Sequence, residues 1–147
     1  SFLKYWENDA ATKEKVKNGW LHTGDFAYKD EEGYFYFKGR KDDIINTSGY
    51  RVGPSEVEDA VLSHPKVSMV AVIGIPDKLR GQIIKAFVVP RDHNNVLAEN
   101  EILKRSIQNH VKLKLAAHEY PRLIEFVHEL PLTTTGKIIR KDLRENN

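Results

Sequence analysis

The chain has 147 residues, 40% of them hydrophobic and 30% charged, with a formal net charge of +2 and no cysteine. That length can bury one core with an appendage, and so small a charge argues against a nucleic-acid partner. Without cysteine there is no disulfide, thiolate zinc site or thiol nucleophile, and no apolar run is long enough to span a bilayer.

The first residues, SFLKYWENDA, lack a basic-then-apolar signal pattern, and with no initiating Met the chain reads as a fragment of a longer protein. Asn8 to Lys17 is polar and rich in helix formers, with Gly19 placed to end a helix. Phe26 to Lys38 reads as a hairpin: the turn cluster Asp30 to Gly33 separates two aromatic-rich arms, the second being Tyr34 to Phe37. Gly39 to Glu56, GRKDDIINTSGYRVGPSE, then crowds charges and glycines between apolar stretches. Such a run costs backbone entropy and supplies little core, so it reads as a site or the edge of one.

Gly53-Pro54 opens a helix, since proline at the first position gives up only an unpartnered N–H. Val57, Ala60 and Val61 form its apolar stripe, and Glu56 and Glu58 lie in its first turn. Val67 to Ile75 and Ile83 to Val89 are β-branched runs expected as buried strands, joined by a loop, Pro76 to Gln82, that exposes Arg80. Glu99 to Leu115 carries Ile102, Leu103, Ile107, Val111 and Leu115 at helical spacing. Leu123 to Val127 is a further strand, and Ile138 to Arg144 a short terminal helix. The composition breaks around Arg40 to Asp43. Before the break lies a hairpin too small to stand alone; after it comes a unit of roughly a hundred residues, enough for one core. The expected class is α+β: a small mixed sheet packed with helices, preceded by a β-hairpin segment.

Several residues carry two readings. Asp25, after His22-Thr23-Gly24, is a turn-forming residue or a carboxylate that accepts from two hydroxyls. Arg40 is a strand-end arginine or a fork for ribose and phosphate oxygens. Asp42 and Asp43, taken as extended, point to opposite faces and so make no shared-proton dyad. Ser48-Gly49-Tyr50-Arg51 is a β-turn or a place of close ligand approach flanked by an aromatic face and a cation. Tyr120-Pro121-Arg122 pairs a ring with a guanidinium. Lys137 follows three threonines and Gly136. It is not in a P-loop, because Pro131 and Ile138 occupy positions that motif reserves for glycine and a hydroxyl residue. It is a surface lysine ahead of a basic helix or an ammonium delivered to a reacting group. The six histidines lack ligand spacing, so no metal site is expected, and no nucleophile elbow or dinucleotide fingerprint occurs.

Three segments, GWLHTGD (Gly19 to Asp25), GRKDDIINTSGYRVGPSE and LPLTTTGK (Leu130 to Lys137), resemble in order the motifs of adenylate-forming acyl-CoA synthetases. The likeness is to the C-terminal portion of the AMP-binding superfamily, in its medium-chain and acetyl-CoA-synthetase-like branch. It implies that residues 1–42 are the tail of a large N-terminal domain ending at a hinge on Asp42. Residues 43–147 are then the mobile C-terminal domain.

The resemblance further implies ATP with Mg2+, the metal held outside this segment, and CoA as co-substrate with a carboxylic acid of medium-chain fatty type. Asp25, Arg40 and Arg51 are then nucleotide contacts, with Lys137 bridging carboxylate and α-phosphate as the catalytic residue. Ser48, Gly49 and Tyr50 line the CoA path, and Arg80, Tyr120, Pro121 and Arg122 meet its nucleotide end, with Lys112 as added charge. Where many relatives read Ala-Pro-Tyr-Lys, this chain has Ala116-Ala117-His118-Glu119, a carboxylate in place of a lysine. The implied setting is intracellular, cytoplasmic or mitochondrial matrix, with the segment inactive alone. Two other readings stay open: an adenylation domain loading a carrier protein, and a non-catalytic α+β interaction module.

Overall fold

The computed structural model describes the backbone of residues 16–17, 20–21, 25–29 and 35–147, and side chains from residue 39 onward. The chain divides into two compact units, 1–44 and 45–147.

In the first unit, β1 (Val16–Lys17), β2 (Trp20–Leu21), β3 (Asp25–Lys29) and β4 (Phe35–Arg40) pair antiparallel in sequential order. The expected hairpin is present as β3–β4, and its turn lies outside the described residues. Residues 8–15 of the expected helix, and Gly19, lie outside them too. Val16 and Lys17 correct that reading, because they are strand residues paired with Leu21 and Trp20. A cross-strand ladder to β2 overrides local helix propensity there.

The second unit holds β5 (Ile45–Thr47), β6 (Tyr50–Val52), α1 (Pro54–Leu62), β7 (Val67–Asp77) and β8 (Gly81–Pro90). It continues with α2 (Asn94–Ala98), α3 (Glu101–Lys114), β9 (Leu123–Phe126) and α4 (Arg140–Glu145). The sheet runs β6-β5-β8-β7, and β9 joins β8 in parallel while the other pairs are antiparallel. This is the mixed sheet packed with helices that the sequence implied.

Alternation along β7 and β8 sends side chains to two covered faces. Val70, Val72, Ile84, Ala86 and Val88 meet α1 and α3 through Val57, Val61, Leu103, Ile107 and Val111. Ala71, Ile73, Phe87 and Val89 pack on the other face under Leu130, Ile138 and Leu143. Burial on both faces is why these strands read as unbroken apolar runs.

Three boundaries differ from expectation. The expected loop at Pro76 to Gln82 is mostly strand: Pro76 pairs with Gln82 and Asp77 with Gly81. Proline is tolerated because β7 is an edge strand. The turn shrinks to Lys78–Arg80, closed by the Asp77 carboxylate accepting from the N–H groups of Leu79 (3.1 Å) and Arg80 (2.9 Å). Helix α3 starts after Asn100, whose side chain accepts from Leu103 N–H. That register leaves Ile102 84% exposed rather than on the core stripe. Helix α4 starts at Arg140 rather than Ile138, because Ile138 is engaged in a β-bridge with Leu132. No helix among the described residues is long and apolar enough to cross a membrane.

Candidate functional site

The glycine-rich run from Gly39 is more regular than its composition implies. Arg40 ends β4, Lys41–Asp43 make one 3-10 turn, and β5–β6 form a tight hairpin. Ser48 (φ 50°) and Gly49 (φ 84°) are the two central turn residues, both left-handed as a type I′ turn requires. A Cβ built on Gly49 would meet nothing within 4 Å, so glycine serves the backbone angle here and leaves the turn open to approach.

Ser48 N–H donates to the Arg80 carbonyl at 2.9 Å. The β5–β6 and β7–β8 turns are therefore neighbours, which brings Ser48, Gly49, Tyr50 and half-buried Arg80 together at one end of the sheet. Tyr50 is 53% exposed and stacks on His118, with ring centroids 3.7 Å apart and planes within 7°. His118 lies in the 3-10 turn Ala117–Glu119 and was missed by residue-type reasoning; its one signal was the departure from the Ala-Pro-Tyr-Lys pattern. Glu119, the carboxylate introduced by the same departure, is buried and turned away from solvent.

Tyr120 packs against the first core. Lys112 Nζ lies 4.4 Å from its ring centroid and Arg122 Cζ 5.0 Å. Pro121 is buried, and its carbonyl accepts from the Gln108 amide at 3.0 Å. Two cations over one ring, beside a second exposed aromatic stack, form a strip suited to a flat, anionic group.

Lys137 sits on a loop that braces itself. Thr133 N–H donates to the Lys137 carbonyl (2.7 Å), Gly136 N–H to the Thr133 carbonyl (2.9 Å) and Lys137 N–H to Thr133 Oγ1 (3.0 Å). Gly136 takes φ 85°, and the loop's stem is the Leu132–Ile138 bridge. Lys137 is exposed, and among the described residues its ammonium has no hydrogen-bond or ion-pair partner. Ile138 beside it packs on the second core, whereas Tyr120 packs on the first. The lysine loop and the cationic strip thus flank opposite faces of the sheet.

In the first unit Asp25 and Arg40 are cross-strand partners on β3 and β4; the Asp25 side chain lies outside the described residues. Asp42 is exposed in its 3-10 turn. That turn removes the extended geometry that had set Asp42 and Asp43 on opposite faces. Arg51 is exposed on β6, opposite Asn46. The described residues contain no group of three side chains able to hold a metal. A groove of about 660 Å³ lined by His64, Ile102, Arg105, His110 and Leu113 includes none of the residues that the motif resemblance assigns to nucleotide or CoA.

Two buried polar groups were not foreseen. Glu58, read from sequence as a helix-dipole partner, accepts Val72 N–H from β7 at 2.9 Å. Arg140 forks onto its two oxygens at 2.5 and 3.2 Å. Burial pushes the Glu58 carboxyl above its ordinary 4.5, while Arg140 and Val72 N–H pull the other way. His64 is buried between α1 and β7. Its Nδ1 accepts from Lys66 N–H (3.1 Å), so the neutral ring carries its proton on Nε2, facing Ser106 Oγ (2.9 Å). Burial first, then His110 and Lys66, holds its pKa below the usual 6.5.

The family model of the AMP-binding enzyme C-terminal domain matches residues 56–137. That is more than half of the chain, and the chain belongs to this family. It is 46% identical over 143 residues to the mitochondrial acyl-coenzyme A synthetase ACSM3 of Rattus norvegicus, covering 97% of this chain and 24% of that protein. It is also 46% identical over 144 residues to the uncharacterized acyl–CoA ligase YtcI of Bacillus subtilis, covering 98% and 27%. Among solved structures, the anthranilate CoA ligase AuaEII in complex with anthranoyl-AMP superposes with a TM-score of 0.73 at 41% identity, over 96% of this chain and 27% of that one. The chain therefore spans about a quarter of the length of the relatives it matches.

Proposed function

We propose that this chain is the C-terminal portion of an AMP-forming acid–CoA ligase. Residues 1–42 would complete a large nucleotide-binding domain, and 43–147 would be its mobile lobe, turning about Asp42. The reaction has two steps. A carboxylate attacks the α-phosphate of ATP to give an acyl-adenylate and pyrophosphate; CoA thiolate then attacks the acyl carbon and AMP leaves. The anthranoyl-AMP in the AuaEII structure is such an adenylate.

One observation carries the reading: the Lys137 ammonium, without a partner among the described residues, on a braced loop at one face of the sheet, with a cationic aromatic strip on the other. In the first step Lys137 offsets the charge that builds between carboxylate and α-phosphate, while Asp25, Arg40 and Arg51 hold the nucleotide. In the second the lobe presents Ser48, Gly49 and Tyr50 along the pantetheine arm. Arg80 and Tyr120 to Arg122 then meet the phosphorylated nucleotide of CoA. Lys112 and Arg122 over Tyr120 favour that nucleotide over a carrier-protein arm, which lacks one.

Mg2+ entering with ATP would be held outside this segment, as the motif resemblance implies, and no step here runs through it. The substrate is a carboxylic acid, of medium-chain fatty type by the motif resemblance, and nucleic acid is not a partner. The setting is intracellular, either cytoplasmic or mitochondrial matrix.

The test is Lys137→Ala in the full-length ligase. Pyrophosphate release should fall by roughly 10²–10³, while thioester formation from pre-made acyl-adenylate stays near wild type. Undiminished pyrophosphate release would favour a non-catalytic module.

A further inference from the structure

The Thr133–Lys137 loop is held to itself, and something else must set where it points. Its stem leads through Ile139, whose N–H donates to the Pro131 carbonyl at 2.9 Å, into α4. That helix has only six residues and no side-chain cap, too short to be stable unaided. Its ties to the body of the domain include the apolar contacts of Ile138 and Leu143, the Lys85 ammonium donating to Asn147 Oδ1 just past its end (2.6 Å), and the fork of Arg140 onto Glu58.

Apolar contacts allow sliding, whereas a two-pronged guanidinium–carboxylate pair fixes direction. The carboxylate is itself fixed, because it is buried on α1 and accepts the Val72 N–H of β7. Three elements therefore meet at Glu58, and Arg140 lies three residues beyond Lys137. A buried ion pair is a poor device for stability alone, since packed apolar residues often do as well or better. Geometry is the reason to keep it.

We propose that Glu58 is a positioning residue for the adenylation step, holding the Lys137 loop in register through Arg140. The proposal rests on the role given to Lys137 above. A displacement of about 1 Å in a catalytic group costs up to about a hundredfold in rate. Glu58→Gln keeps the shape and an acceptor for Val72 but removes the charge that grips Arg140.

In the full-length ligase, Glu58→Gln should slow pyrophosphate release about ten- to a hundredfold while thioester formation from supplied acyl-adenylate stays within about twofold. In a Lys137→Ala background it should slow adenylation no further, because both changes remove the same ammonium. Equal loss in both half-reactions, a multiplied loss in the double variant, or no loss at all would overturn the proposal. Arg140→Gln, which releases the same tie while Glu58 keeps its bond to Val72, goes through the same assays with the same expectation should Glu58→Gln not fold. If Lys137→Ala alone leaves adenylation intact, the reading of Lys137 fails; if it abolishes adenylation and Glu58→Gln does not slow it, only the present inference fails.

Discussion

Two glycine turns of the second unit, Ser48-Gly49 and Thr133–Lys137, are built in contrasting ways. The Ser48-Gly49 turn is bolted into the sheet: β5 pairs with β8, and Ser48 N–H donates to the neighbouring Arg80 turn. The Thr133–Lys137 turn bonds chiefly within itself and is tied down afterwards, by Arg140 and two apolar side chains. The first arrangement spreads its contacts over several segments, so no one side chain there dominates. The second concentrates its chemistry in one ammonium and its aim in one ion pair. Sensitivity to substitution should therefore be steep at the lysine loop and shallow along the aromatic strip.

The steepest expected loss is that of Lys137→Ala, followed by Glu58→Gln, both confined to adenylation. Tyr120→Ala should break the comparison if the strip is less distributed than its contacts imply. Removing the ring beneath Lys112 and Arg122 forfeits about 0.5–1 kcal/mol for an exposed cation–π pair. The KM for CoA should accordingly rise only about two- to fivefold, with pyrophosphate release unchanged; a complete loss would make the strip as concentrated as the lysine loop.

Gly49→Ala sharpens the same contrast through stability. Space is open around that position, so the penalty comes from its left-handed angle alone, about 1–2 kcal/mol, read as a lower midpoint in urea.

The smallest effect concerns the buried histidine between α1 and β7. With its folded pKa held below 6.5, His64 binds protons more readily in the unfolded chain. The stability it contributes is complete above pH 6.5 and is lost as pH falls through the folded value. Protonation would place a hydrogen on Nδ1 against Lys66 N–H. The loss should have a slope of no more than about 1.4 kcal/mol per pH unit for one proton. His64→Asn should flatten it, as followed by thermal melts at successive pH values.

What sequence could show divides along physical lines. Strands β7 and β8 and the stripe of α1 were legible because burial on two faces or one leaves a period in the residues themselves. The same holds for the Gly53-Pro54 helix start. The β5–β6 hairpin was hidden by its own density of glycine and charge: three-residue strands are too short for a period to register. Ile102 was misplaced because Asn100 capping, a choice of one turn, rotates the whole stripe. At the site, Ser48, Gly49, Tyr50 and Arg80 were named from motif, but their adjacency comes from a hydrogen bond between two turns. The Tyr50–His118 stack and the Glu58–Arg140 pair, 82 positions apart in sequence, join residues that local composition cannot connect.

Glu58 also has a consequence away from any reaction. β8 is the only strand partner of β7 among the described residues, so the outer rim of β7 presents backbone donors that a stray chain could zip onto. By occupying the Val72 donor with a side chain of its own helix, the domain blunts that rim from within. A change that shortens this side chain would do more than loosen a loop: it would bare a backbone donor on the outer rim of β7.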